Sequence, residues 1–362
     1  MVSLPPSLAQ YERIQLLFPH LCPIELLRRL SAHLTTSNNI AAKIWIKRED
    51  CNSGLGLGGN KIRKLEYVLP DAIREGADTI VTTGGPQSNH IRQVAAAAAH
   101  VGMKTVLVSQ QPASAQPADF HLKGNVQIAS ILSATYLHEG TSLTEAAAQV
   151  SAQGQKPYII TSGASTHRYG GLGFARWAFE VSEQEKQMDV YFDIKVVAVA
   201  SGSTIAGMLA GFALVEQEYV RQTSVDDRGA DIVLGSQKKV GRRIIGVDTY
   251  NKPPGESEDT ILRLAKHTAE IIGVDPARIS TDDVHLDRRH NIETHTGWSG
   301  RTREAVKLIA GLEGVIVDPI YSGRAISAVL EMARMGELDT AENVLVVHTG
   351  GQAALRGFSG FG

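Results

Sequence analysis

The sequence predicts an α/β protein built on parallel β-sheet. Short apolar segments alternate with segments of helical periodicity along most of the 362 residues, and strands separated by single helices are typical of parallel βαβ units. One apolar segment, residues 195–200, is almost uninterrupted. This is expected for a strand whose two faces are both covered. Glycines and small polar residues follow several of the strands, at the edge where open α/β sheets bind their ligands.

Composition restricts the class of protein. A chain of this length with 43% hydrophobic residues can bury a sizeable core, in two domains or in one large α/β unit. The net charge of −2 and the lack of a basic block beyond the short cluster at residues 238–243 argue against a nucleic-acid partner. That cluster is interpreted as a solvated loop.

Location and metal content are also constrained by the sequence. No stretch approaches the ~18 apolar residues of a membrane span, and the amino terminus lacks a signal-peptide pattern. Cys22 and Cys51 are too few for a disulfide framework, and the 12 histidines are scattered. We therefore expect a cytoplasmic protein with no membrane partner and no catalytic metal.

The first predicted strand, residues 43–47, leads into a glycine-rich loop and then into a helix. The loop contains four glycines between residues 50 and 60, and Lys61 stands where an amphipathic helix begins. Glycines allow close approach of the backbone, and the free N–H groups of a first helical turn attract anions. The loop is therefore a candidate site for an anionic ligand.

The same loop formally matches a dinucleotide fingerprint. Gly54, Gly56 and Gly59 give the spacing G-x-G-x-x-G. A dinucleotide site also needs an acidic residue at the end of the next strand, but the strand at residues 79–83 ends in two glycines and a proline, and Asp78 precedes it. Dinucleotide binding is therefore a less favoured interpretation, and a plain connecting loop is the other alternative.

Further elements follow in alternation. We predict helices over residues 91–100, 124–132, 144–153, 208–216, 259–272, 301–312 and 324–335, and strands over residues 79–83, 104–109, 157–161, 195–200, 243–248, 315–318 and 343–348. The alanines at residues 95–99 favour close packing of their helix on a sheet. Residues 217–243 are polar and longer than a helix-to-strand connection requires, so we interpret them as a surface insertion.

A second candidate anion site lies after the strand at residues 195–200. It consists of Ser201, Gly202, Ser203 and Thr204, at the start of a helix. Small residues, hydroxyls and free N–H groups at a helix N-terminus form a phosphate cradle. An N-cap by Ser203 or Thr204 explains one hydroxyl but not the whole run, so the cradle is favoured.

Three segments taken together resemble the aminocyclopropane-carboxylate deaminase and D-cysteine desulfhydrase family. They are residues 47–54, 58–67 and 84–94, and the resemblance extends from about residue 17 to the last few residues. Members of this family are pyridoxal-phosphate enzymes with the fold of the tryptophan synthase β subunit. The resemblance implies pyridoxal 5′-phosphate as cofactor and two open, mainly parallel sheets flanked by helices.

The resemblance also implies a domain division and an assembly. It places a large cofactor-binding domain at residues 1–64 and 171–362, with a small domain inserted at residues 65–170. A homodimer that acts on a small amino-acid substrate is expected.

The resemblance assigns roles that the residues alone leave open. By composition Lys47 and Lys64 are as good as Lys61, but the family carries its cofactor covalently on the lysine at the place of Lys61, and Lys64 is then expected at the cofactor phosphate. Ser88 precedes a helix, where it could be an N-cap or could move a proton or support a substrate carboxylate. The family uses this serine in catalysis.

Two further residues follow Ser88 in the same motif. The family's asparagine at the place of Asn89 bonds the 3-oxygen of the cofactor. His90 matches the desulfhydrase-like members better than the bacterial deaminases, which tend to have glutamine. We expect Ser88, Asn89 and His90 to contact the substrate.

Two positions depart from the deaminase pattern. In residues 318–324, Tyr321 stands at the place of a catalytic tyrosine. Ser322 then stands where deaminases have a glutamate that keeps the pyridine nitrogen protonated, and desulfhydrases have the similar threonine. His295 stands where relatives usually have another active-site tyrosine. An imidazole there would be a competent acid or base, although a shift of the loop by a residue or two would leave it facing solvent.

These features predict a pyridoxal-phosphate lyase or deaminase that converts a small amino acid to a 2-oxo acid and ammonia. Ser322 favours β-elimination of the D-cysteine desulfhydrase type over ring opening of 1-aminocyclopropane-1-carboxylate. A diverged biosynthetic enzyme with its own amino-acid substrate is a third possibility. A non-catalytic ligand-binding protein on the same fold is disfavoured because Lys61, Ser88 and Tyr321 are all present.

Overall fold

A computed structural model describes residues 2–35, 42–85, 87–110, 119, 122–137, 140–225, 242–291 and 298–358. The strands in this part of the chain are β1 (Ile24–Leu26), β2 (Lys43–Arg48), β3 (Thr79–Gly84), β4 (Lys104–Ser109), β5 (Thr135–Leu137), β6 (Pro157–Ile160), β7 (Ile194–Val199), β8 (Arg243–Asp248), β9 (His285–Asp287) and β10 (Asn343–His348). The helices are α1 (Pro6–Ala9), α2 (Arg28–Leu34), α3 (Asn60–Arg74), α4 (Asn89–His100), α5 (Gly124–Ile131), α6 (Leu143–Ala152), α7 (Leu172–Met188), α8 (Ser203–Val225), α9 (Glu256–Ile271), α10 (Gly300–Glu313) and α11 (Ser322–Arg334).

The strands form two open sheets, which confirms the predicted fold class. The larger sheet has the order β1-β2-β10-β7-β8-β9 and is parallel except for β1, which runs antiparallel to β2. The smaller sheet has the order β5-β4-β3-β6 and is entirely parallel. Its strands lie between residues 79 and 160, inside the segment expected to form the small domain. The domain boundaries themselves stay a prediction.

The central strands of the larger sheet are covered on both faces. Every residue of β7 and β10 is buried. In β10, Leu345 and Val347 pack in the core formed with α7, α8 and α9, while Val344 and Val346 pack in the core formed with α10 and α11. Burial of such a side chain contributes about 1.5–3 kcal/mol. The uninterrupted apolar sequence of these strands is therefore explained by two helical layers.

The smaller sheet is packed in the same way. Helices α3 and α4 share a core with Ile80 and Ile160 of the sheet, and α6 packs with Val81 and Val106 on the other face. The alanines at residues 95–98 are buried. Their short side chains let α4 lie close to the sheet, as the sequence predicts.

Three sequence-based predictions of secondary structure need correction. Residues 315–318 do not form a strand. The two edges of β10 are paired with β2 and β7, so these residues cannot pair with β10. The carbonyl of Ile316 instead faces the ring of His348, 2.9 Å from Nε2. Helix α8 begins and ends well outside the predicted 208–216. Residues 217–225, predicted as part of a surface insertion, belong to this helix, and residues 226–241 lie outside the described part of the chain.

Two kinds of feature are absent from the described ranges. No helix there is both long enough and apolar enough to cross a membrane. In the same ranges, no group of three or more histidine, cysteine, aspartate or glutamate side chains could hold a metal ion.

Candidate active site

The residues singled out by the sequence meet at the carboxyl ends of strands from both sheets. Strand β3 leads to Ser88 at the start of α4, β7 leads to Ser201 and α8, and β10 leads to Thr349. The glycine-rich loop after β2 joins them, since the backbone N–H of Asn60 donates to the carbonyl of Thr349 at 3.0 Å. Helix α3, which carries Lys61, therefore begins between the two sheets.

Lys61 is held at the first turn of α3. Its backbone N–H and that of Ile62 both donate to the Oε1 of Gln93, at 2.8 and 3.1 Å. The side chain is half-buried, and its Nζ donates to the Oδ1 of Asn60 at 3.2 Å. Burial lowers the pKa of Lys61 to about 8, although the nearby carboxylate of Asp318 opposes this shift. A sizeable fraction of the amine is thus neutral and nucleophilic near neutral pH.

Hydroxyls and a lysine line the predicted phosphate cradle at the N-terminus of α8. Lys64 donates from Nζ to the Oγ of Ser203 at 2.6 Å and to the carbonyl of Gly163 at 3.1 Å. The Oγ of Ser165 lies 2.5 Å from that of Ser201 and 3.0 Å from that of Ser203. The structure thus brings together a cation, three serine hydroxyls and the free N–H groups of a helix.

The electrostatics of this cradle favour an anion. Both partners of the Lys64 ammonium are neutral, and burial together with the charge of Lys61 lowers the pKa of Lys64 well below its usual value. A negative charge in the cradle would offset both effects. Gly202 has a φ of 91°, which a residue with a Cβ rarely adopts. The hydroxyl of Thr204, the last residue of the predicted cradle, accepts a hydrogen bond from the Nδ2 of Asn60 at 3.3 Å.

Ser88 is the N-cap of α4. Its Oγ accepts from the backbone N–H of Ile91 at a long 3.4 Å. Gly84 leaves room for this side chain, because a Cβ there would lie 2.7 Å from the Ser88 Oγ. The capping role that the sequence left open is present, and a weak capping bond leaves the hydroxyl able to contact a ligand.

His90 is buried against β3. Its Nε2 lies 2.9 Å from the Oγ1 of Thr82, whose own proton goes to the carbonyl of Ile160 at 2.6 Å. The Nε2 therefore carries a proton, and Nδ1 has no hydrogen-bond partner. Burial and the charges of Lys61 and Lys64 hold the pKa of His90 well below its usual value, so the ring is neutral. A substrate contact for His90 stays a prediction.

Asp318 and Ser322 lie just before and at the start of α11. The Asp318 carboxylate accepts from the backbone N–H groups of Ile320, Tyr321 and Ser322 at 2.8–3.0 Å. This carboxylate and the side-chain amide of Asn89 approach Gly351 so closely that a Cβ there would overlap both. Asn89 and Asp318 thus meet at Gly351, and the charge of Asp318 also acts on Lys61.

Ser322 is fully buried, and its hydroxyl contacts no carboxylate among the described residues. Its Oγ accepts from the backbone N–H of Thr349 at 3.1 Å and lies 3.3 Å from the Nδ1 of His348 and 3.2 Å from the carbonyl of Gly350. The Nδ1 of His348 also accepts from the backbone N–H of Gly350.

Tyr321 directly precedes Ser322 in the chain. Burial of the Tyr321 phenol raises its pKa, and the negative charge of Asp318 raises it further. The phenol therefore stays protonated at neutral pH.

Several residues in this site were missed by the sequence analysis. They are Gln93, Asn125, Ser165 and Asp318. Ser165 follows a predicted strand at its carboxyl end and Asp318 opens a motif already singled out, so both carried a signal. Gln93 and Asn125 are recognised only by their contacts. His295, predicted as an acid or base, lies outside the described residues.

Comparison with known proteins gives the family. Residues 21–350 match the family described as pyridoxal-phosphate dependent enzyme. The 1-aminocyclopropane-1-carboxylate deaminase of Methylobacterium sp. (strain 4-46) is 40% identical over 360 residues, which cover 97% of this chain and 98% of that protein. The enzyme of the same name from Burkholderia cenocepacia is 41% identical over 346 residues, covering 93% of this chain and 94% of that protein.

Solved structures agree with this similarity. The crystal structure of an "ACC deaminase homologue" is 28% identical with a TM-score of 0.78, covering 98% of this chain and 97% of that one. A fungal L-serine ammonia-lyase from Rhizomucor miehei has a TM-score of 0.58 at 17% identity, covering 93% of this chain and 95% of that one, and supports the fold alone. The chain therefore belongs to the pyridoxal-phosphate dependent enzymes, in the aminocyclopropane-carboxylate deaminase and D-cysteine desulfhydrase family, and its cofactor is pyridoxal phosphate.

Proposed function

We propose that this enzyme is a deaminase that opens the ring of 1-aminocyclopropane-1-carboxylate to give 2-oxobutanoate and ammonia. The observation that carries the proposal is the 40–41% identity, over almost the full length, to relatives that bear this name. The sequence analysis preferred β-elimination of the D-cysteine type. The comparisons favour its alternative.

The residues around the site fit pyridoxal phosphate. The cradle of Ser201, Ser203 and Lys64 suits the phosphate, because it offers a cation and hydroxyls at a helix N-terminus. Asn89 suits the 3-oxygen and Ser322 suits the pyridine nitrogen. We assign these roles, and the covalent attachment at Lys61, as part of the proposal.

The chemistry is divided between the cofactor and the protein. When bound, pyridoxal phosphate supplies an aldehyde for the substrate amine and a conjugated ring that withdraws electrons from the substrate. Lys61 would hold the cofactor at rest, and its lowered pKa would keep the amine neutral, and so able to accept a proton, once the substrate amine has taken its place. The Ser88 hydroxyl and the free N–H groups of α4 bind the substrate carboxylate. As the ring bond breaks with its electron pair drawn toward the cofactor, the neighbouring ring methylene would lose a proton to the neutral amine of Lys61, and the protonated phenol of Tyr321 would return a proton to the opened carbon. Water would then release 2-oxobutanoate and ammonia.

A second candidate, β-elimination from D-cysteine, is favoured by Ser322. Among the described residues its hydroxyl contacts hydroxyl, carbonyl, imidazole and backbone N–H groups and no carboxylate, so a protonated pyridine nitrogen gains no carboxylate partner there. A weaker electron sink suits a good leaving group such as thiolate better than a ring carbon.

An assay on the holoenzyme separates these candidates. We expect 2-oxobutanoate from 1-aminocyclopropane-1-carboxylate, with a higher kcat/KM than that for sulfide release from D-cysteine, and no product with Lys61→Ala. Sulfide release without ring opening would establish the second candidate. An intact visible cofactor band with neither reaction would point to a diverged biosynthetic enzyme. The expected homodimer is a separate proposal, which light scattering on the holoenzyme tests.

A further inference from the structure

Three polar side chains form a hydrogen-bonded chain behind the cofactor-facing side of α4. The Nε of Arg92 donates to the Oδ1 of Asn125 at 2.8 Å, and the Nδ2 of Asn125 donates to the Oδ1 of Asn89 at 2.7 Å. All three side chains are buried. Arg92 and Asn89 lie on the same helix, whereas Asn125 comes from the start of α5.

The direction of every bond in this chain is fixed by chemistry. A guanidinium only donates, so the atom of Asn125 that faces Arg92 must be its oxygen. The other end of the Asn125 amide faces the carbonyl of Gln87 at 2.8 Å. A carbonyl only accepts, so this end must be the NH₂ group. The two neighbours independently demand the same orientation of Asn125.

The orientation of Asn125 then determines that of Asn89. Because Asn125 presents a donor, the atom of Asn89 that meets it is Oδ1. The Nδ2 of Asn89 is turned to the opposite side, toward Gly351 and Asp318. Among the described residues this Nδ2 has no hydrogen-bond partner. This Nδ2 can therefore donate a hydrogen bond to a ligand in the site.

Arg92, the first member of this series of hydrogen bonds, is itself held in place. Its other bonds from Nη1 go to the carbonyls of Gly56 and Gly58 in the loop that precedes Lys61. All of these hydrogen-bond partners are neutral, so the bonds of the buried guanidinium orient dipoles, while the carboxylate of Asp318 acts on it through space. The same residue thus fixes both the glycine-rich loop and the amide of Asn125.

We propose that Arg92 and Asn125 are positioning residues that fix the amide of Asn89 so that it donates to the 3-oxygen of pyridoxal phosphate. The proposal rests on the role assigned above to Asn89. A donor at this oxygen stabilises its negative charge. It therefore lowers the pH at which the bound cofactor loses the proton that the oxygen shares with the nitrogen of Lys61.

The test uses Asn125→Asp, which keeps the shape of the side chain and its acceptor for Arg92 but cannot donate to Asn89. The amide of Asn89 is then expected to turn its donor toward the new carboxylate and its oxygen toward the cofactor. We expect the pH midpoint of the visible cofactor band to rise by about one unit or more. The cofactor dissociation constant should rise as well.

A double-mutant cycle distinguishes an effect of Asn125 on the orientation of Asn89 from a direct effect of the added negative charge on the cofactor. The new carboxylate alone could raise the midpoint through space, and that effect would persist in an Asn89→Ala background. If Asn125 acts through Asn89, the shift caused by Asn125→Asp largely disappears in that background. Asn343→Asp is the matched control, because Asn343 is buried at the other end of β10 and its Oδ1 accepts from Trp45. It should leave the midpoint unchanged.

Each other outcome counts against the proposal. A shift that is equal in both backgrounds, or no shift at all, overturns the role of Asn125. An unchanged midpoint in Asn89→Ala shows that the role of Asn89 itself is wrong, and a wild type without a visible band shows that the cofactor assignment is wrong. If Asn125→Asp does not fold, Asn125→Ala replaces it. It removes the donor that faces the Oδ1 of Asn89, so the amide of Asn89 loses its fixed orientation and a smaller shift of the same sign is expected, again lost without Asn89.

Discussion

At the residue scale, if the cofactor attaches to Lys61 as proposed, the acidity of this lysine sets when the enzyme can take up its cofactor. Only the neutral amine attacks an aldehyde, and burial brings the pKa of Lys61 to about 8. Below this pH the neutral fraction falls tenfold for each unit. The rate at which apoenzyme forms its visible band with pyridoxal phosphate should therefore rise about tenfold per unit up to about pH 8 and then level off.

Rapid mixing with absorbance detection measures this rate, and Lys61→Ala provides the blank. A rate that keeps rising to about pH 10 would show that Lys61 behaves as an ordinary exposed lysine.

In the proposed site, Ser322 is the residue whose substitution should most directly change the choice of substrate. Ser322→Glu would place a carboxylate beside the pyridine nitrogen and keep it protonated, which strengthens the electron sink. The ratio of kcat/KM for ring opening to that for sulfide release should increase at least about tenfold. A ratio is needed because a larger side chain in this buried place costs about 1–3 kcal/mol of stability and lowers both activities.

Ser322→Thr is the control for this ratio, since it keeps a neutral hydroxyl. A glutamate variant with the wild-type ratio would show that the charge at this position does not select the reaction.

At the scale of single elements, Ser88 serves two purposes that can be separated. It caps α4, although its bond to Ile91 is long, and loss of a cap costs about 0.5–2 kcal/mol. In Ser88→Ala we expect a small fall in Tm and a loss of turnover of ~10²–10⁴-fold. In Ser88→Asp the cap is restored by a carboxylate, so the Tm should recover while turnover stays low. Recovery of both would mean that Ser88 only caps the helix.

Helix α3 is anchored by a buried ionic network directly behind Lys61. Arg63 donates to Glu49 at 2.5 and 3.0 Å and to Glu180 at 2.8 and 3.1 Å. Removing one member of a buried pair leaves uncompensated charge and costs about 3–5 kcal/mol. Arg63→Ala should lower the free energy of unfolding by about this amount in urea titrations of cofactor-saturated protein.

Arg334→Ala breaks an exposed pair with Glu304 and should cost less than about 1 kcal/mol. Equal losses for the two variants would contradict the role given to burial.

The sequence was most informative about elements with a strong apolar pattern. The helix-strand alternation and the buried strand β7 followed from periodicity and were confirmed. The strands β1, β5 and β9 were not predicted, because three residues at a sheet edge are too short to show alternation. Residues 315–318 were wrongly predicted as a strand, because their apolar residues are buried without pairing in the sheet.

At the scale of the whole molecule, only those parts of the candidate site whose residues are consecutive in the chain could be predicted from the sequence. The cradle after β7 and the motif around Ser88 are continuous in sequence. Asn125 and Gln93, in contrast, act on residues about thirty positions away, and no local pattern marks such contacts. A single sequence names the groups that face a ligand more readily than the groups that orient them.

The proposed cofactor site lies between the two sheets, and this arrangement predicts how cofactor removal changes the protein. Asn89 follows β3 of the smaller sheet, whereas Ser203 follows β7 of the larger sheet and Ser322 begins α11, which packs on that larger sheet. A ligand held by both therefore stabilises their contact, by about 2.7 kcal/mol at a hundredfold excess over its dissociation constant. The interiors of the sheets, such as β7 and β10, are buried by their own helices and do not depend on it.

Removal of the cofactor with hydroxylamine should accordingly lower the Tm and speed hydrogen exchange at the N-termini of α4 and α8, while exchange in β7 and β10 stays nearly unchanged. Mass spectrometry of the holoenzyme, the stripped protein and the stripped protein after reloading measures these rates. Reloading should restore slow exchange at both helices in the wild type, and less completely in Lys61→Ala, which holds the cofactor without a covalent bond. Faster exchange confined to α8 would show that the cofactor is held by the larger sheet alone, and equal acceleration in β10 would show that it supports the whole fold.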